Sequence, residues 1–182
     1  YLVTGRVERL KKKYGLTVSW IHFPLHPETP DSGLSLEELF KGRGYDIDEM
    51  KQRMSSLMTE EKLPYGNRSH TYNSRLAQEL SKWGESFPEG EELNLKLFEA
   101  YFVEGYNLAE PEVLLDVTQA ARLSREVAEG VIRERLFRDA VNADWRRAHE
   151  FGVTGVPTFV SGNRGLVGAQ PYEVLEQLIQ AK

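Results

Sequence analysis

Apolar residues recur along this chain at two spacings, and the change from one to the other lays out the elements. From Leu2 to Tyr14, Val3, Val7, Leu10 and Tyr14 fall every three or four residues, which puts them on one face of an amphipathic helix. Lys11, Lys12 and Lys13 lie in its last turn, where positive charge suits the helix dipole, and Gly15 offers a C-cap. Leu16 to Phe23 is rich in Val, Thr, Trp, Ile and Phe and is closed by Pro24, so it predicts a strand. Pro24, Pro27, Pro30 and Gly33 then punctuate a loop. Ser35 with Glu38 forms a capping box opening a short helix, and Asp46 with Glu49 repeats the device before a helix carrying Ile47, Met50, Met54 and Met58.

Between Tyr72 and Phe151 the pattern is helical throughout. Its members centre on Leu76, Leu80 and Trp83; on Leu93, Leu97, Ala100 and Tyr101; on Pro111 through Val117; on the stretch after Ser124; and on Val141, Trp145 and Ala148, ending at Gly152. Period two returns at the end: Pro157 to Ser161 and Gly165 to Val167 flank Gly162-Asn163, the composition of a hairpin. Gln170-Pro171 opens a last helix, with Pro at the first helical position, carrying Tyr172, Leu175, Leu178 and Ile179.

A hairpin and one remote strand fall short of the three strands that a stable sheet usually needs. One more strand ahead of Tyr1 would give strand, helix, strand, helical insertion, hairpin, helix. The expected class is therefore α/β, a thioredoxin-like fold with an inserted all-helical domain. The predicted division assigns residues 1-34 and 152-182 to the thioredoxin-like core and 35-151 to the inserted helices and a connecting helix.

Composition narrows the chemistry. A formal net charge of −5 leaves no basic surplus for holding phosphates, so nucleic acid is a poor partner. No apolar run approaches the roughly 20 residues that cross a bilayer. With no cysteine among the 182 residues, the chain itself provides no disulfide, thiolate metal site or thiol nucleophile. His22 and His26 are four apart but lie at a strand end and in a Pro-rich loop, where that spacing does not join two imidazoles on one helix face, and no metal is expected.

The run Phe151-Gly152-Val153-Thr154-Gly155-Val156-Pro157-Thr158-Phe159-Val160 resembles the cis-proline loop of DsbA-like thiol–disulfide oxidoreductases. Phe23 to Pro27, Thr71 to Ala77, Leu97 to Gly105 and Gly168-Ala169-Gln170-Pro171 resemble the cytoplasmic-type, FrnE-like branch of that family. In that family a C-P-x-C motif separates the first strand from the first helix, and Tyr1-Leu2 match the residues that follow it. The resemblance implies that both thiols immediately precede Tyr1, at a helix N-terminus that would stabilise a thiolate. It also implies a cis Val156-Pro157 bond and a substrate backbone held at Thr154, Val156, Pro157 and Tyr1, with no residue of the chain itself as nucleophile.

Related proteins on this scaffold, the 2-hydroxychromene-2-carboxylate isomerases and kappa-class glutathione transferases, carry serine at the helix start and bind glutathione. The expected activity is disulfide exchange with peptide or protein thiols, in the cytoplasm and without a cofactor. A glutathione-dependent isomerase or transferase and a redox-inactive peptide-binding module stand as alternatives. Cys/Cys, Ser, or neither at the helix start separates the three.

Overall fold

The computed structural model describes residues 1–180. In chain order the elements are α1 (Thr4–Tyr14), β1 (Leu34–Ser35), α2 (Leu36–Leu39), α3 (Ile47–Glu60) and β2 (His70–Thr71). There follow α4 (Arg75–Gly84), α5 (Gly90–Phe102), α6 (Pro111–Ala120), α7 (Arg125–Arg133), α8 (Arg138–Glu150), β3 (Thr158–Ser161), β4 (Arg164–Val167) and α9 (Tyr172–Gln180). The helices and the hairpin stand where the apolar spacing puts them. Ser35 makes both arms of its capping box with Glu38, and the Asp46 carboxylate accepts the amides of Asp48 and Glu49.

The chain divides into two compact units, one of Tyr1–Leu25 together with the chain from Ala143 onward, the other His26–Asn142. These boundaries lie nine residues earlier than the expected 34/35 and 151/152. The reason is the Pro-rich loop, which is tied into the helical unit: Asn73 Nδ2 donates to the Thr29 carbonyl at 2.9 Å and Asn107 Nδ2 to that of Asp31 at 2.9 Å. At the other end the boundary falls inside α8, because a helix can begin in one unit and finish in another without a loop to mark the change.

The first unit departs from expectation at Leu16–Phe23, which is no paired strand among the described residues. A strand is defined by its partner as much as by its composition. The amides of Thr17, Val18, Ser19 and Ile21 find no hydrogen-bond partner among the described residues, and Val18, Trp20 and Ile21 stay exposed. The described sheet of this unit is the antiparallel β3–β4 hairpin, in register from Thr158 opposite Val167 to Ser161 opposite Arg164. α9 covers it through the buried Leu175. The Glu176 Oε1 accepts from Lys13 Nζ at 2.8 Å, the Tyr14 hydroxyl at 2.9 Å and the Tyr172 hydroxyl at 3.0 Å, joining α9 to the end of α1.

The helical unit holds its core between α4, α5, α6 and α7, with Leu80, Leu93, Leu114 and Ala128 fully buried. A short antiparallel pair of β1 with β2, Leu34 opposite Thr71, is an addition that no periodicity announces. A side chain at Gly90 would place its Cβ 2.3 Å from the Gly84 carbonyl oxygen, so glycine there permits the tight passage from α4 to α5.

One carboxylate sits in this unit almost without solvent contact: the Glu79 side chain is 4% exposed. It accepts Nε of Arg75 at 2.7 Å and two nitrogens of Arg135 at 2.7 Å each, while Nη2 of Arg75 continues to the Arg138 carbonyl and Asn142. Burial alone would push the Glu79 carboxyl up, but the paired arginines outweigh it and hold it below the usual carboxylate range. Its contribution is complete above the unfolded glutamate value of about 4.3 and is lost as the pH falls through the lower folded value. Glu79→Ala is predicted to cost about 3 kcal/mol, the lower end for a buried pair because Arg135 stays partly solvated. Denaturant unfolding at neutral pH measures this, and the variant should lose less stability than the parent between pH 5 and the acid limit.

Candidate functional site

The loop between α8 and β3 begins with a helix stop. Gly152 takes a left-handed φ of +67°, donating its N–H to the His149 carbonyl at 2.9 Å while Val153 donates to Ala148 at 3.0 Å. These are the paired bonds of a Schellman motif, and they satisfy carbonyls that the helix end would leave open. The chain then runs through Thr154, which is exposed, to Gly155 and Val156. The Val156–Pro157 peptide bond is cis, as the loop sequence implies.

Two hydrogen bonds frame that dipeptide. On one side the Thr158 hydroxyl donates to the Gly155 carbonyl at 2.7 Å. On the other, the Gly168 amide donates to the Pro157 carbonyl at 2.8 Å, extending the hairpin by one bond beyond the Thr158–Val167 pair. Between them Val156 is 47% exposed, and neither its N–H nor its carbonyl has a hydrogen-bond partner among the described residues. Backbone groups are obligate hydrogen-bonding groups. An exposed donor and acceptor on one residue, held between two fixed carbonyls, can therefore pair with an extended chain lying alongside.

The far side of the frame is anchored to α1. Arg6 Nη1 donates to the carbonyl of Gln170 at 2.6 Å and of Ala169 at 3.1 Å, while Gln170 Nε2 reaches the Val167 carbonyl at 2.6 Å. A run of contacts thus joins the first helix to the turn that supplies the Gly168 amide. Tyr1 lies in the turn just ahead of this helix, its carbonyl accepting the Thr4 amide at 3.0 Å and the Thr4 hydroxyl at 2.9 Å. Of the expected site residues, Thr154, Val156 and Pro157 lie together in one loop, whereas Tyr1 lies outside it, just ahead of α1, the helix that Arg6 ties to the loop's support.

The profile of the DSBA-like thioredoxin domain matches residues 1–180. The chain belongs to the DSBA-like thioredoxin family. Among curated proteins, an uncharacterized protein YwbO of Bacillus subtilis (strain 168) is 27% identical over 111 residues, 60% of this chain. The chain spans about half, 55%, of that relative's length. Among solved structures, a probable DsbA oxidoreductase of Streptomyces coelicolor superposes with a TM-score of 0.90 at 24% identity, covering 99% of this chain and 82% of that one. A 2-hydroxychromene-2-carboxylate isomerase gives 0.77 at 22% identity, covering 99% and 88%, and the cytosolic disulfide reductase DsbM of Pseudomonas aeruginosa 0.63 at 17%, covering 99% and 86%. At these identities the likeness is one of fold.

Sequence reasoning does not single out Thr158, Gly168 or Arg6 as site residues, although they build the frame. The run Gly168 to Pro171 carries the only hint, since a glycine and a proline so close together mark a shaped turn; Gly168 has a φ of +90°. Arg6 has no local signal, because its acceptors are backbone carbonyls more than 160 residues away. Gly152→Ala tests the first part of this construction. A Cβ there meets nothing within 4 Å, so the cost is conformational, about 1–2 kcal/mol for a side chain held left-handed. A lowered denaturation midpoint should report it, and an unchanged midpoint would show that the helix stop does not depend on glycine.

Proposed function

We propose that this chain is the scaffold and substrate-holding part of a thiol–disulfide oxidoreductase that exchanges disulfides with peptide or protein thiols. The observation that supports it is the free donor and acceptor of Val156, framed by the Thr158 and Gly168 bonds, in a member of the DSBA-like family. An extended substrate would pair its backbone with Val156 as an added strand, while the side chains of Thr154 and Val156 face it and Pro157 sets the edge of the groove. Glutathione, a short peptide thiol, offers the same backbone groups and is a substrate or co-substrate of the same kind.

The chain has no cysteine, so in this reading the exchanging thiols stand at the N-terminal side of α1, next to Tyr1. Positive dipole at that helix end would favour the thiolate, making the thiol a good leaving group and its disulfide a ready oxidant. Disulfide exchange conserves electrons: a substrate thiolate attacks one sulfur of the disulfide, a mixed disulfide forms, and the second sulfur leaves as thiolate. We place the activity in the cytoplasm, on the resemblance to the cytoplasmic-type branch; no helix among the described residues is long and apolar enough to cross a membrane.

The test uses the protein as its own cell makes it. After reduction, alkylation should add two alkyl groups by intact mass, and incubation with an oxidised cysteine peptide should trap a mixed disulfide. A protein with no alkylatable thiol and no exchange would overturn the oxidoreductase. If it then catalysed a glutathione-dependent isomerisation, the serine-type relatives would be the better guide; if it only bound peptide, it would be a redox-inactive module.

A further inference from the structure

Gly155 and Val156 share a peptide unit, and the planarity of that unit couples the bond at the Gly155 carbonyl to the direction of the Val156 N–H. The Gly155 carbonyl and the Val156 N–H belong to one rigid plane and point in opposite directions, since only the next bond along is cis. Whatever holds the carbonyl therefore aims the N–H. Gly155 itself offers little restraint: it has no side chain, and a Cβ placed on it would meet nothing within 4 Å. The restraint comes from outside, as the bond of 2.7 Å from the Thr158 hydroxyl.

We propose that Thr158 is a positioning residue for the substrate backbone, its hydroxyl fixing the peptide plane that presents the Val156 N–H. Thr158 is suited to the task by where it stands. It is the first residue of β3, paired with Val167 across the hairpin, so its Cα is held by a ladder that continues into the Gly168–Pro157 bond. Its branched Cβ restricts χ1, so the hydroxyl is presented with little rotamer loss. The donor reaches back three residues across the dipeptide that would face a substrate. The Pro157 carbonyl is held independently by Gly168, which fixes the downstream peptide but leaves the Gly155–Val156 plane to Thr158 alone among the described residues.

The inference rests on the reading of this loop as the peptide-binding element, and the experiment separates the two. The full chain, as parent, Thr158→Val and Thr158→Ser, is titrated into a fluorescein-labelled Gly/Ser peptide with one central cysteine. A second titration uses a depsipeptide analogue whose central amide is an ester: its carbonyl is a poorer acceptor for the Val156 N–H, and it has no N–H to give the Val156 carbonyl, a loss common to all three proteins. Valine keeps the shape and suits a strand, so Thr158→Val should fold, with thermal unfolding as the check. The parent should prefer the amide to the ester. Thr158→Val should bind the amide peptide about three- to tenfold more weakly, the worth of one hydrogen bond, and should narrow the preference for amide over ester; Thr158→Ser should restore both. Unchanged affinity and preference in Thr158→Val, or a loss that serine does not restore, would overturn the role of the hydroxyl. A parent that binds neither peptide would overturn the reading of the loop, and this inference with it.

Discussion

The bond from the Gly168 amide to the Pro157 carbonyl, 2.8 Å long, closes the loop that the rest of the first unit supports. It is the point where three lines of structure meet. The β3–β4 ladder brings Val167, and hence Gly168, opposite Thr158; Arg6 on α1 holds the two carbonyls that follow; and the Schellman stop at Gly152 sets where α8 releases the chain into the loop. None of these contacts is strong by itself, since a hydrogen bond contributes only about 0.5–1.5 kcal/mol net. What they supply is direction. With the Thr158 hydroxyl taking the Gly155 carbonyl and the Gly168 amide that of Pro157, Val156 is left with both its groups to offer.

The second unit is stabilised by different means. Its helices bury an apolar core around Leu80, Leu93 and Leu114, and its one deeply buried carboxylate, Glu79, is matched by two guanidinium groups in place of water. Arg135, which supplies the bidentate half, lies with a φ of +53° just past the end of α7. The pairing therefore fastens a loop conformation that an ordinary side chain rarely adopts to the middle of α4. A polar network of this kind fixes one arrangement of helices among the several that a purely apolar core would tolerate.

Legibility in the sequence followed the range of the interactions. Helices α4 to α8 were readable because their signals are local: an apolar face every three or four residues, a Ser124 cap that accepts the Val127 amide, a Pro at the start of α6. The hairpin was readable from Gly162-Asn163, and the proline loop from a run of ten residues whose resemblance pointed to the cis bond. Leu16 to Phe23 has the composition of a strand but no described partner, and composition cannot supply one. The β1–β2 pair is too short for a period to register. Arg6, Gly168 and Thr158 escaped because their importance lies in which carbonyl each reaches, and two of those carbonyls are far off in sequence.

In the free protein the loop's frame is complete, while the backbone groups of Val156 are not yet paired. Backbone amide hydrogen exchange, residue by residue, with and without a cysteine peptide, tests it most directly. Gly168 should be protected in both states, and Val156 should exchange freely alone and become protected when the peptide is added. Protection of Val156 in the absence of peptide, or no change on adding a peptide that binds, would contradict it.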